Sequence, residues 1–267
     1  MPSQTRANPS HHKDVIRAEF TRQADAYAAA PAITDAERLA RLVAAINPLP
    51  GARALEVATG PGYVAMALAA RCHEVVGLDL TPAPIAIAER IRRERGIENV
   101  RFLVDDAENL PFNEGEFDIV VCRFAFHHFE DPAAILAQMC RVCRAGGTVA
   151  VEDMFASEMR ARADYWNQVE RLRDHSHRRA LALSELIRMM AARGIEVDRL
   201  HSDRLTPAVE DWMARAQTGA DDAREVRRLL EDDMRNDLSG IMPFFSDGRM
   251  HFIQRTAALI GRKLRAS

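Results

Sequence analysis

A chain of 267 residues, 48% hydrophobic and 28% charged, is long enough to bury a large α/β core, as one domain or as two small ones. Acids and bases nearly cancel at a formal net charge of -3, which argues against a general nucleic-acid binder, and no apolar run approaches the ~20 residues that cross a bilayer. The polar opening Met1 to Asp14 lacks the apolar core of a signal peptide and an acyl-acceptor glycine, so a soluble cytoplasmic protein is expected.

Phe20 to Ala29 and Asp35 to Ile46 read as helices, the second stopped by Pro48-Leu49-Pro50-Gly51; His11 and His12, in a disordered tail, receive no role. Arg53 to Ala58 reads as a strand that runs through Glu56 into the turn Thr59-Gly60-Pro61-Gly62, and Tyr63 to Arg71 as the helix behind it. A Val-rich strand, Glu74 to Leu80, ends on Asp79. Pro82 and Pro84 open the next helix, because the N–H that proline lacks has no partner in a first helical turn. Val100 to Val104, Phe117 to Cys122 and Thr148 to Glu152 are further strands, with a helix from Asp131-Pro132 to Arg144 before the last. Strands alternating with helices at this spacing predict a doubly wound, mostly parallel sheet covered on both faces.

Beyond Met154 the pattern changes to helices at Met159 to Arg173, Ser184 to Arg193, Pro207 to Ala216 and Asp221 to Leu238, with a strand at Ile195 to His201. Arg249 to Lys263 carries two short apolar stretches suited to the sheet edge. This gives one domain over 1–267, with a core at about 36–153 and a helical cap built from 14–34 and 154–248.

Two cysteine and histidine clusters invite metal chemistry and are read against it. Cys140 and Cys143 fall on the apolar side of a helix without a second pair to complete a zinc site, and His175-x-His177 has no accompanying ligand set; no metal is expected.

Three cofactors suit a strand–turn–helix of this kind. A phosphate-binding loop needs a lysine that does not follow Gly60 or Gly62, whereas NAD remains a rival through Gly60-x-Gly62-x-x-Ala65. S-adenosylmethionine (SAM) carries an ammonium and no pyrophosphate, so the acidic Glu56 before the turn suits it better, and the helix start can take its carboxylate. Asp79 is placed to hold a ribose, and the acidic patch Asp105-Asp106-Ala107 to accept from an adenine amino group.

Taken in order, Leu55 to Gly62, Gly77-Leu78-Asp79-Leu80-Thr81, Asp106-Ala107-Glu108-Asn109-Leu110-Pro111-Phe112 and Phe117-Asp118-Ile119-Val120 resemble the successive motifs of class I SAM-dependent methyltransferases. With Arg141 to Gly147 the chain is similar to their ubiquinone/menaquinone-type branch of small-molecule enzymes (methyltransferase type 11). The resemblance implies a Rossmann-like, seven-stranded sheet with SAM as cofactor. Thr59, Gly60, Pro61 and Gly62 would pass under the methionine part, Asp79 and Leu80 would flank the ribose, and Asp106 and Ala107 would read the adenine. The backbone of Arg123 would meet the methionine end. Glu56 stands where Asp is more frequent, Pro61 where a small or hydroxyl residue is usual, and His127-His128 where the quinone enzymes carry Arg-Asn, a departure that bears on whether a quinone precursor is the acceptor.

Methyl transfer to a hydroxyl or protonated amine benefits from a base, and His127 and His128 follow the fourth strand at the edge where ligands bind. Adjacent side chains face opposite ways along a strand, so one is expected to line the pocket; His128 is favoured as base or substrate contact. Phe124, Phe126 and Phe129 suit an aromatic wall, Phe126, Arg173 and His177 are candidate substrate contacts, and Tyr27 a lid over SAM. No Asn/Asp-Pro-Pro-aromatic segment of base or amide methylases follows that strand. The expected partner is a small, aromatic or polyketide-like molecule and not a nucleic acid or a membrane, with a homodimer left open. O-methylation leads, followed by C- or N-methylation; a SAM-fold enzyme of non-methyl chemistry (dehalogenation, cyclisation, elimination) or a noncatalytic SAM-binding partner are the alternatives.

Overall fold

The computed structural model describes residues 9–265. The chain opens with helices α1 (Pro9–Arg22), α2 (Ala24–Ala28), α3 (Pro31–Thr34) and α4 (Ala36–Ile46). α4 starts where Asp35 accepts the backbone N–H groups of Glu37 and Arg38, two donors that a helix start leaves without partners. The alternating portion follows as β1 (Arg53–Val57), α5 (Tyr63–Ala69), β2 (Glu74–Asp79), α6 (Pro82–Glu94), β3 (Val100–Val104), β4 (Phe117–Arg123), α7 (Pro132–Val142) and β5 (Cys143–Met154). After it come α8 (Arg160–Arg173), α9 (Leu183–Ala192), β6 (Ile195–Leu205), α10 (Val209–Arg215), α11 (Ala220–Asn236), the hairpin β7 (Phe244–Ser246) and β8 (Arg249–His251), and β9 (Gln254–Lys263).

The seven-stranded sheet runs β3-β2-β1-β4-β5-β9-β6. β1 to β5 are parallel, and β9 is antiparallel to both its neighbours. From β1 the chain winds outward through β2 and β3, then returns to lay β4 and β5 on the other side. The reversal leaves a crevice beyond the carboxyl ends of β1 and β4, the place where ligands enter such sheets. β1, β2 and β4 are buried over nearly their whole length, as a strand covered on both faces requires.

Four details differ from the sequence reading. β9 is internal, not an edge: Thr256 to Gly261 are buried, whereas the charged run of β6 is largely exposed and forms the edge. Gly261 permits that close pairing, since a Cβ there would lie 2.8 Å from the carbonyl oxygen of Glu196. α9 and β6 therefore join the sheet layer, and the span 154–248 is only partly cap. Cys143 is not on the helix with Cys140; it opens β5. Finally, α1 reaches back to Pro9, so His11 and His12 are helical, and the expected helix Phe20 to Ala29 breaks at Gln23.

Apolar clusters fill both faces of the sheet, and a third lies under the cap. There Trp166 stacks on Trp212 at 5.7 Å between centroids and Phe252 meets Trp212 edge-on at 4.9 Å, which ties α8 and α10 to the chain before β9. Among the described residues no helix is long and apolar enough to cross a membrane.

Candidate active site

The turn after β1 is built from its own acid. Glu56 Oε2 accepts from Thr59 Oγ1 at 2.5 Å and from the Ala65 N–H at 2.8 Å, clamping the loop to the start of α5. Burial pushes this carboxyl up to about 7, against the pull of those two donors. Gly60 and Gly62 have positive φ, and a Cβ on Gly62 would fall 2.4 Å from Cζ of Phe102. Asp79, at the carboxyl end of β2, accepts from Gly60 N through one oxygen at 2.8 Å and from Thr81 N through the other at 2.9 Å. Each oxygen keeps a lone pair, and burial raises this carboxyl above its usual range.

Asp79 and Gly60 line a cavity at this edge of the sheet. Leu80, Asp106 and Ala107 complete one side. The opposite side comes from Lys13, Ile16 and Phe20, one stripe of α1, and from Tyr27 of α2. Lys13 Nζ donates to Asp106 Oδ2 at 2.7 Å, and His12 Nε2 meets the His128 carbonyl at 2.8 Å, so the N-terminal helix lies across this cavity.

A second cavity adjoins the first, and Phe20, Tyr27, Phe124 and His128 line both. Its far wall carries Arg173, Asp174, Leu205, Trp212 and Arg215. Both His127 and His128 face it, which corrects the expectation that they point apart. They sit on a 3-10 turn, Phe126–His128, and not on a strand, so strand alternation does not govern them. Their ring centroids are 4.1 Å apart.

The two histidines have opposite electrostatics. His127 Nδ1 lies 2.6 Å from Asp153 Oδ1, and its backbone N–H donates to the other oxygen at 3.1 Å. Burial disfavours its charged form, but the Asp153 carboxylate outweighs this and holds the imidazole above its ordinary range. With Nδ1 donating to Asp153, Nε2 is the free nitrogen, and it has no hydrogen-bond partner among the described residues. His128 Nδ1 donates to the Ser176 carbonyl at 3.0 Å, and burial together with the neighbouring His127 pulls it down to about 3. It is a neutral acceptor, not a proton store. Asp174 supports this arrangement: Ser176 N–H and Oγ donate to it at 2.9 and 2.5 Å, and although burial opposes its charge, Arg173 and these bonds favour its ionised form.

Of the residues expected at the site, Tyr27, Gly60, Asp79, Leu80, Asp106, Ala107 and His128 line the first cavity, and Arg173, His127, His128 and Tyr27 the second. Glu56, Thr59, Pro61 and Gly62 line neither; they shape the turn. Phe126 turns inward to the core against Phe129 at 5.5 Å and forms no wall of either cavity. The Arg123 guanidinium is spent on Glu152 at 3.1 Å and on the carbonyls of Ala32 and Ile33, pinning α3 over the sheet. His177 is buried against Asn167 at 2.8 Å and lines neither cavity. All four cysteines are free and buried, with Cys143 pushed up to about 12 by burial, far from a reactive thiolate. Sequence reasoning missed Lys13, Phe20, Trp212, Arg215 and Asp153. Of these Asp153 carries a signal, an acid near the end of β5 as Asp79 is at the end of β2.

A methyltransferase-domain family matches residues 55–151. The methyltransferase YcgJ of Bacillus subtilis strain 168, itself described as uncharacterized, is 30% identical over 207 residues, 78% of this chain and 82% of that one. The chain belongs to the class I SAM-dependent methyltransferases. The crystal structure of YcgJ superposes on this methyltransferase with a TM-score of 0.81 at 27% identity, covering 85% of this chain and 98% of the other. The demethylmenaquinone methyltransferase of Thermus thermophilus is 45% identical over 101 residues, 37% of this chain and 46% of that protein. The family-matched stretch runs from β1 to β5; α1, α2, α3, α8 and α10, which supply much of the remaining lining of the two cavities in this methyltransferase, lie outside it.

Proposed function

We propose that the methyltransferase binds SAM in the first cavity and methylates the hydroxyl of a small acceptor in the second, with His127 as the base. The observation that carries this reading is the junction: Phe20, Tyr27, Phe124 and His128 belong to both cavities, so a donor in one meets an acceptor in the other. The residues present suit SAM. Asp79, with a free lone pair on each oxygen, can take the ribose hydroxyls; Asp106 and the Ala107 N–H can take the adenine edge; the Gly60 to Gly62 backbone and Tyr27 can flank the methionine end. Four carboxylates in the wall, Asp79, Asp106, Glu108 and Glu130, against the one ammonium of Lys13, suit a cation with a diol better than a pyrophosphate. Bound SAM supplies an electrophilic methyl group on a positively charged sulfur.

His127 Nε2 takes the hydroxyl proton as the acceptor oxygen becomes nucleophilic, and Asp153 stabilises the imidazolium formed. This reverses the order expected from sequence, which favoured His128; His128 supplies a neutral acceptor that orients the substrate. Phe20 and Phe124 exclude water from the reacting groups. A hydroxyl needs a base of this strength, which ranks O-methylation above C- or N-methylation. The near-neutral charge and four free cysteines support a cytoplasmic enzyme of small molecules, working as one unit in which the cap elements complete the acceptor cavity. The test is stoichiometric S-adenosylhomocysteine formation with methylated acceptor. In His127→Asn, kcat should fall by about 10²–10³-fold with SAM affinity kept; unchanged kcat removes His127 as the base, and product without methyl transfer favours the non-methyl chemistries.

A further inference from the structure

The geometry points to an acceptor that carries a carboxylate at the end remote from its methylated group, anchored by Arg215 and Arg173; this rests on the methyltransferase reading above. Two donor groups without partners among the described residues, Arg215 and Gln23, line the second cavity beside Arg173. Arg215, on α10, is half-buried there and has no hydrogen bond or ion pair among the described residues. Arg173, on α8, lies with its guanidinium 5.2 Å from the centroid of the Trp212 ring; its Nε donates to the Trp212 carbonyl at 3.3 Å, its Nη1 is 3.5 Å from Asp174 Oδ2 and 3.9 Å from Glu170 Oε2, and its Nη2 has no partner among the described residues. Gln23 is 2% exposed, lines the same cavity, and its Nε2 is buried with no partner. An unpaired buried donor is costly, so such a pair is retained where a ligand oxygen satisfies it.

Charge sets the valence of that ligand. Asp174 offsets Arg173, Asp211 is paired with Arg249, and Glu170, 3.9 Å from Arg173, is kept protonated up to about 7 by burial, which leaves the positive charge of Arg215. A monoanion neutralises the site, whereas a dianion such as a phosphate monoester would leave it negative. Position sets the orientation. Neither arginine lines the first cavity, so the carboxylate lies away from the junction and is the handle, not the methylated atom. Between the two ends, Ile33, Phe124, Leu205 and Trp212 offer apolar walls to the body of the molecule. The substrate class is a hydroxy acid with an apolar or aromatic body.

The experiment uses titration calorimetry on the full chain saturated with S-adenosylhomocysteine. The probes are para-hydroxyphenylacetate, its neutral carboxamide and phenyl phosphate, against wild type, Arg215→Met and Arg215→Lys. Wild type is expected to prefer the acid over the amide by about tenfold, the strength of one charge-assisted hydrogen bond, and over the phosphate. Arg215→Met should equalise acid and amide, and Arg215→Lys should restore part of the preference. Equal affinity of acid and amide in wild type, preference for the phosphate, no binding of the acid, or a preference that survives in Arg215→Met overturns the proposal. Binding of S-adenosylhomocysteine is the separate control: its retention in both variants shows folded protein, and its loss in wild type strikes the underlying methyltransferase reading and not the anchor.

Discussion

At the scale of single residues, the site turns on one carboxylate changing the character of one imidazole. His127 and His128 are adjacent, both buried, and both subject to the same desolvation, which lowers a histidine. Asp153 touches only the first. It lifts His127 above 6.5 while His128 drops to about 3, so only His127 titrates where a base works near neutral pH. A base must start unprotonated, so kcat/KM is expected to rise with pH through the raised His127 value, with its midpoint above 6.5. Removing the charge in Asp153→Asn should move that limb to lower pH and weaken the base. A pH–rate profile whose midpoint stays put in the variant would contradict the pairing. None of this was readable from the dipeptide His127-His128, because the difference between them is made by contacts 26 and 48 residues away, to Asp153 and Ser176.

At the scale of elements, the lining of the first cavity was largely legible in the sequence and that of the second was not, for a physical reason. Asp79 and Asp106 follow strands, and a strand that ends on an acid at the open edge of a parallel sheet exposes that acid to the crevice whatever surrounds it. Phe20, Arg173, Trp212 and Arg215 stand on helices whose placement depends on packing between distant segments, such as the Trp166–Trp212 stack across α8 and α10. Phe126 was misassigned for the same reason: its short turn directs the ring to the core. α1 is the clearest case. Its start is polar and reads as a tail, yet Lys13 reaches Asp106, 93 residues on, and the helix closes the first cavity. In the proposed SAM mode an adenine amino group would compete with Lys13 for the same oxygen, Asp106 Oδ2. Lys13→Met should therefore tighten SAM binding by up to about fivefold, the range of a half-exposed ion pair of about 0.2–1 kcal/mol. Weaker binding in that variant would show that Lys13 helps to hold the cofactor.

At the scale of the whole molecule, buried titratable groups around the site fix how stability depends on pH. Glu170 is 1% exposed, neither of its oxygens has a hydrogen-bond partner, and burial raises it from 4.5 to about 7, against the pull of Arg173 and His127. Between these values the folded chain holds a proton that the unfolded chain has released, so stability falls as pH rises through this window and stays reduced above it. The loss is about 1–3 kcal/mol. His128 works with the opposite sign, since its folded form stays neutral to about 3 while the unfolded imidazole charges below 6.5; stability falls as pH drops through that range. Stability is thus expected to peak between these limits. Glu170→Gln should raise Tm at about pH 8.5 by a few degrees relative to wild type and much less at about pH 5. An equal shift at both pH values would contradict the linkage.

Whether the crevice beyond β1 and β4 receives SAM is decided by titration calorimetry of the full chain with S-adenosylhomocysteine, in wild type and in Asp79→Asn. Saturable binding at one site per chain is expected, with no heat from NAD and affinity reduced by about tenfold or more in the variant as the ribose loses its charged acceptor. No binding of S-adenosylhomocysteine to wild type, or saturable binding of NAD in its place, would contradict that expectation.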